Sequence, residues 1–63
     1  MSISTVDLIE LANEIEDKAA ECWDLESRAQ YPSSVLYRKE ANYLEAVVER
    51  LEDIINEQRV YNH

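Results

Sequence analysis

The chain contains no glycine and only one proline, Pro32, which divides its 63 residues into halves of similar length. Average glycine usage of about 7% would place roughly four glycines in a chain of this size. Because glycine and proline are the residues that most often interrupt regular structure, their scarcity predicts long uninterrupted helices. A proline inside one continuous helix would cost about 3 kcal/mol, so we expect the chain to fold back near Pro32.

Apolar residues recur at helical spacing in both halves of the chain. The first half carries Leu8, Leu11, Ala12, Ile15, Ala19, Cys22, Leu25 and Ala29, and the second carries Tyr37, Ala41, Leu44, Val48, Leu51 and Ile55. A hairpin that turns at Pro32 places residue i opposite residue 63 − i, so that these two stripes face each other. We therefore predict an all-α fold, an antiparallel helical hairpin of two long helices. The residues expected to be most buried are Leu8, Leu11, Ile15, Leu44, Val48, Leu51 and Ile55.

The ends of the helices are marked by capping residues. If Ser4 is the N-cap, Asp7 completes a capping box and Ile3 can pack against Leu8 as a hydrophobic staple. Either Pro32 or one of the two following serines can begin the second helix. The sequence thus predicts one domain, residues 1–63, with helix 1 at about 4–30, a loop at about 31–34, helix 2 at about 34–60 and a loose C-terminal tail.

A hairpin of 63 residues buries little apolar surface and needs further support. Cys22 is the only cysteine and His63 the only histidine, so neither an internal disulfide nor a metal site is expected. We expect the hairpin to complete a four-helix bundle, as a homodimer or with a partner protein.

Four further apolar residues lie outside the predicted seam between the helices. Ile9 and Trp23 fall in one line of the first helix, and Leu36 and Tyr43 fall in one line of the second. Exposed aromatic residues are favoured at protein interfaces. These four residues are therefore the predicted partner or dimer patch.

Six carboxylates follow one edge of the first helix at alternating spacings of three and four. They form what we call the acidic ladder: Asp7, Glu10, Glu14, Asp17, Glu21 and Asp24. The five adjacent like-charge pairs would cost about 1 to 2.5 kcal/mol in total, and no cation is expected to relieve them. Lys18 is expected to reach Glu14 or Asp17. Successive carboxylates rise about 5 Å along the helix, comparable with the spacing of phosphates along a nucleic-acid strand.

The formal net charge of −8 bounds the possible partners. Direct binding to nucleic acid or to an anionic membrane is not expected, because both require a cationic surface, and a basic protein surface is favoured instead. The first seven residues predict neither a signal peptide nor a membrane span, and a single unpaired cysteine is typical of a reducing compartment. A cytoplasmic location is therefore expected.

Catalysis has no support in the sequence. There is no glycine-rich phosphate loop, and the lone histidine lies at the end of the chain, away from any nucleophile. No catalytic residue, cofactor or bound metal is predicted, and the outward-facing carboxylates do not match the inward-facing ligands of di-iron bundles.

In its size, acidity and lack of glycine, the chain resembles the small phage-encoded inhibitors of host defence or of DNA transactions. This resemblance of size and charge implies a non-enzymatic inhibitor, acting in the host cytoplasm if phage-encoded. Its acidic ladder would block the nucleic-acid-binding surface of a CRISPR effector or another nucleic-acid enzyme. The alternative is a structural or adaptor module, a dimeric helical bundle whose acidic face only keeps it soluble.

Overall fold

The computed structural model describes residues 4–61, which form two α-helices packed against each other as an antiparallel hairpin 49 Å long. Helix α1 is Thr5–Arg28 and helix α2 is Ser33–Tyr61, with no strand in the part described. The predicted all-α hairpin is confirmed. The proposed staple at Ile3 and the last two residues of the predicted tail lie outside the described residues.

Helix α1 begins at the predicted cap. Ser4 is extended, with φ −70° and ψ 155°, and its Oγ accepts a hydrogen bond from the backbone N–H of Asp7 at 3.1 Å. The carbonyl of Ser4 accepts a bond from the N–H of Leu8 at 3.1 Å. The Ser4 side chain thus satisfies one of the N–H groups that the first turn leaves without helical partners, and its carbonyl accepts the first bond within the helix.

The connection between the helices begins earlier than predicted. Helix α1 ends at Arg28 because Ala29 is already extended, with φ −86° and ψ 153°. The chain reverses over residues 29–32, and α2 begins at Ser33, where the carbonyl of Pro32 accepts a bond from the N–H of Val35 at 3.1 Å. The predicted loop was therefore placed about two residues too late.

The core between the helices is narrow and consists largely of small side chains. The buried residues are Leu8, Ala12, Ala19, Cys22, Ala41, Val48 and Ile55. Among the side chains of residues 4–59, no large one is completely buried. Small residues at a contact leave little room for larger side chains between two helices.

The predicted core is partly wrong. Leu11 is 42% exposed, and Ile15, Leu44 and Leu51 are only half-buried. The contact row of α1 runs through Leu8 and Ala12, which leaves Leu11 on the flank of the helix. Two helices cover only a narrow stripe on each other, so a broad apolar stripe is left partly in solvent.

Polar contacts between the helices fix their alignment at both ends. Thr5 Oγ1 donates a hydrogen bond to Gln58 Oε1 at 2.8 Å, which is the partner that the register of i with 63 − i requires. Near the loop, Arg38 Nε donates to Glu26 Oε2 at 2.8 Å, and the Glu26 side chain is only 20% exposed. The predicted register is therefore present along the hairpin.

Candidate protein-binding surface

The acidic ladder lies on the outer edge of α1, and all six of its side chains are exposed. The reason is geometric, because steps of three and four residues keep side chains on one side of a helix. This edge is opposite the buried row of α1, so the contact with α2 leaves it uncovered. The ladder thus forms a line of negative charge along the whole of α1.

Two of the ladder carboxylates have cationic partners, which corrects the expectation that none would. Lys18 Nζ lies 3.6 Å from Glu21 Oε2, and Arg28 lies 3.3 Å from Asp24 Oδ2. The Lys18 side chain therefore extends toward the C-terminal end of α1, and it pairs with neither of its expected partners, Glu14 and Asp17. Both pairs are exposed, and such pairs contribute little because water and salt screen them.

The other four ladder carboxylates have no ion-pair partner within residues 4–61. They belong to the first three turns and the middle of α1: Asp7, Glu10, Glu14 and Asp17. Their negative field is therefore not neutralised inside the hairpin, and it remains available to a cationic partner.

A second acidic feature, which the sequence reasoning missed, is a groove of about 580 Å³ between the two helices. We call it the acidic groove. Its carboxylates come from both helices and are Glu16, Asp17, Glu45, Glu49 and Glu52. Asp17 belongs also to the ladder, so the two features are continuous. The acids of α2 are spaced by four and three in the sequence, and the hairpin register places this row beside Glu16 and Asp17.

Trp23 lines the same groove and is fixed in it by a hydrogen bond between the helices. Its Nε1 donates to Glu45 Oε1 at 3.1 Å, and its side chain is half-buried. Ala19, Ala20 and Val48 line the groove beside it. An aromatic face next to carboxylates is an environment that suits an organic cation, because the ring attracts a cation electrostatically and the acids pair with it.

The four residues of the predicted patch do not form one surface. Ile9 lies in a second groove of about 270 Å³, which also includes Ile55 and Arg59, and Trp23 lies in the acidic groove. Leu36 and Tyr43 line neither groove and are largely exposed. Whether any of them contacts a partner stays a prediction.

Cys22 is buried in the contact between the helices and is not disulfide-bonded. Burial raises the pKa of its thiol, and the negatively charged carboxylate of Glu40, which accepts a hydrogen bond from the thiol, raises it further. Glu21 acts in the same direction and Lys18 opposes it. A thiol held in its neutral form is a poor nucleophile, in line with the expected role of Cys22 as a small apolar residue.

No family model, curated protein or solved structure matches this chain. Across residues 4–61, no group of three or more His, Cys, Asp and Glu side chains is arranged to hold a metal ion. Neither of the two helices, as far as they are described, is long and apolar enough to cross a membrane.

Proposed function

We propose that this protein binds a basic surface on a partner protein and thereby blocks that surface for nucleic acid. The observation that carries the proposal is the continuity of the ladder and the acidic groove at Asp17. Together they form one acidic surface, to which both helices contribute. A face that served solubility alone would need no such convergence of carboxylates around an aromatic side chain.

The chemistry of this surface favours lysine and arginine side chains. The unpaired ladder carboxylates can each accept charge-assisted hydrogen bonds, which are about twice as strong as neutral ones. In the groove, the aliphatic stem of a lysine or arginine can lie along Trp23 and the neighbouring alanines while its charged end meets Glu49 or Glu52. Both features also steer a basic partner toward this side of the hairpin.

The partner class follows from where dense basic surfaces occur. Enzymes that hold nucleic acid line their channels with lysine and arginine, and in CRISPR effectors the guide–target duplex lies in a positively charged channel. A line of carboxylates about 5 Å apart can occupy such a channel in place of phosphates. The narrower form of the proposal is therefore a phage-encoded inhibitor of a CRISPR effector or a related nucleic-acid enzyme.

A competition assay tests this proposal. The protein is used to capture partners from cell extract, the main captured protein is purified, and its binding to labelled nucleic acid is measured with increasing amounts of this protein. We expect mutually exclusive binding, and affinity for this protein that falls steeply between low and high salt. Simultaneous binding of both ligands to the partner would contradict the proposal.

A second candidate is an adaptor whose function is assembly through apolar contacts. The observation that favours it is the exposure of Leu36 and Tyr43, which nothing in the hairpin covers. Binding through such residues would depend only weakly on salt, since it does not rest on charge. The salt series in the same assay therefore separates the two candidates.

A further inference from the structure

One side of the hairpin, opposite the acidic groove, exposes a row of large apolar side chains. Two successive steps along a helix turn it by about 200°, so a residue two positions after a groove residue faces the other way. Trp23 and Glu52 line the acidic groove, and therefore Leu25 and Ile54 lie on the opposite side. Leu11 comes two positions after Ile9, which lines the smaller groove, so Leu11 also lies on the opposite side.

Helical spacing adds two more residues to this side. Leu36 and Tyr43 lie within about 20° of Ile54 around the axis of α2. We call the set the apolar face: Leu11, Leu25, Leu36, Tyr43 and Ile54. Their exposures range from 39% to 69%, so none of them is covered by the hairpin.

We propose that the apolar face binds a second copy of this chain, with α1 of each protomer packed antiparallel to α2 of the other. This inference does not rest on the proposed function, because it uses the side of the hairpin away from the acidic groove. The resulting four-helix bundle would leave both acidic grooves on the outside.

The exposed area is sufficient for an interface between two copies. A large side chain has a full accessible area of roughly 150–250 Å². Multiplied by their exposed fractions, the five side chains of the apolar face together expose about 500 Å² on each protomer. Two copies would cover about 1,000 Å² from these side chains alone, which reaches the lower size of specific protein interfaces. The hairpin also needs this contribution, since its own core is made largely of alanine and other small residues.

Charge selects this side of the hairpin over the other. A dimer formed through the acidic groove would bring two sets of five carboxylates together, including Glu45 and Glu49 of both protomers. Like charges that face each other across an interface cost several kcal/mol. The apolar face does not set two uniformly acidic surfaces together, because helical spacing places charges of both signs beside it: Glu14 and Lys18 on α1, and Glu40 and Arg50 on α2.

Charge and register also select the pairing of helices. If α1 faced α1 of the partner subunit, the rows containing Glu14 and Glu21 would meet, and Lys18 at the centre would face its own copy. If a two-fold axis parallel to the helices relates the two protomers, α1 faces α2 of the partner subunit. Each residue then stays at the same height along the hairpin in both protomers. Glu14 then lies level with position 49 of the partner subunit, one residue from Arg50 of the partner subunit.

The apolar residues match in the same arrangement. The Thr5–Gln58 hydrogen bond follows the register of residue i with residue 63 − i. In this register Leu11 lies level with position 52 of the α2 that it faces, two residues from Ile54. Leu25 lies level with position 38, beside Leu36. The apolar rows of the two protomers therefore coincide when α1 covers α2, and Arg50, which has no ion-pair partner within residues 4–61, gains one.

Sedimentation equilibrium of three proteins tests the surface. We expect the wild-type chain to dimerise, and the double variant Leu36→Gln with Tyr43→Gln to raise the dimer Kd by about tenfold or more. Val6→Gln is the matched control, because Val6 is 63% exposed but lies off the apolar face, and it should leave the Kd unchanged. A wild-type chain that stays monomeric at about 1 mM would overturn the proposal and leave this face to an apolar partner of another kind.

A charge exchange tests the pairing of helices without altering the apolar face. Glu14→Arg and Arg50→Glu should each weaken dimerisation, because each places like charges together across the proposed contact. The double variant should restore the wild-type Kd. If the double variant raises the dimer Kd by the product of the two single-variant effects, the pairing of α1 with α2 of the partner subunit is wrong. Circular dichroism of each variant confirms that the hairpin is still folded.

Discussion

Trp23 Nε1 donates a hydrogen bond to Glu45 Oε1 at 3.1 Å, and this bond joins the aromatic residue of α1 to the acidic row of α2. The indole N–H can only donate, so a half-buried tryptophan needs an acceptor of this kind. Glu45 supplies it and keeps the ring in the acidic groove. The bond therefore determines whether the groove presents an aromatic face to a basic side chain.

Removing the acceptor should release the tryptophan. We predict that Glu45→Ala increases quenching of Trp23 fluorescence by acrylamide, because the indole loses its partner on α2. Glu45→Gln keeps an oxygen acceptor and should quench like the wild type. Glu49→Ala is the control, since Glu49 lines the groove but does not bond the indole. Equal quenching in all four proteins would show that the bond does not hold the ring.

The small buried side chains between the helices predict that larger side chains in the core lower stability. Ala41 has no exposed surface, so Ala41→Leu should lower the free energy of unfolding by about 1–3 kcal/mol through overpacking. Ala46→Leu makes the same change at an exposed position of the same helix and should stay within about 0.5 kcal/mol of the wild type. Urea denaturation followed by circular dichroism measures both. An Ala41→Leu variant as stable as Ala46→Leu would contradict the narrow core.

The raised pKa of the Cys22 thiol predicts a loss of stability at alkaline pH. Above about 8.5, the ordinary thiol pKa, the unfolded chain loses this proton while the folded chain keeps it. The unfolded state then binds fewer protons, so the free energy of unfolding falls as pH rises, until the folded thiol also titrates. Below that range the contribution of the thiol is fully present.

Comparison with a variant that lacks the thiol isolates this effect. Cys22→Ala should lose less stability than the wild type between neutral pH and about pH 9.5. Glu40→Gln should reduce the difference, because Glu40 also raises the thiol pKa. Parallel stability curves for the wild type and Cys22→Ala would show that the folded chain does not perturb the thiol.

Features that depend on one helix at a time could be predicted from the sequence. The Ser4 cap follows from a local pattern, and the outward position of the ladder follows from spacing along α1 alone. The fold-back near Pro32 follows from the lack of any other interruption.

Features that depend on how the two helices are rotated against each other could not be predicted from the sequence of either helix alone. Leu11 belongs to the apolar stripe, but a turn of the helix by a few tens of degrees decides whether it enters the seam, and it does not. Lys18 has several acids within reach, and its choice of Glu21 depends on rotamers that spacing leaves open. The acidic groove needs residues from both helices, so it appears only once α1 and α2 are placed together.

An acidic surface that binds a basic partner predicts opposite changes in stability and binding when its charges are removed. The triple variant Glu10→Gln, Asp17→Asn, Asp24→Asn removes alternate members of the ladder and so relieves all five adjacent like-charge pairs. Each relieved pair should stabilise the isolated hairpin by about 0.2–0.5 kcal/mol. Loss of the exposed contact between Asp24 and Arg28 offsets part of this gain, so the free energy of unfolding should rise by about 1 kcal/mol. These three residues lie on the side of the ladder away from the apolar face.

The control variant removes the same charge elsewhere, through Glu40→Gln, Asp53→Asn and Glu57→Gln, none of which belongs to the ladder or lines the acidic groove. The decisive measurement is the affinity of both triple variants for the purified partner at low and high salt, beside their thermal melts. We predict that the ladder variant melts higher and binds at least about tenfold more weakly at low salt, while the control variant binds like the wild type. Equal binding by the two variants would contradict the claim and identify the acidic side chains as a solubilising face.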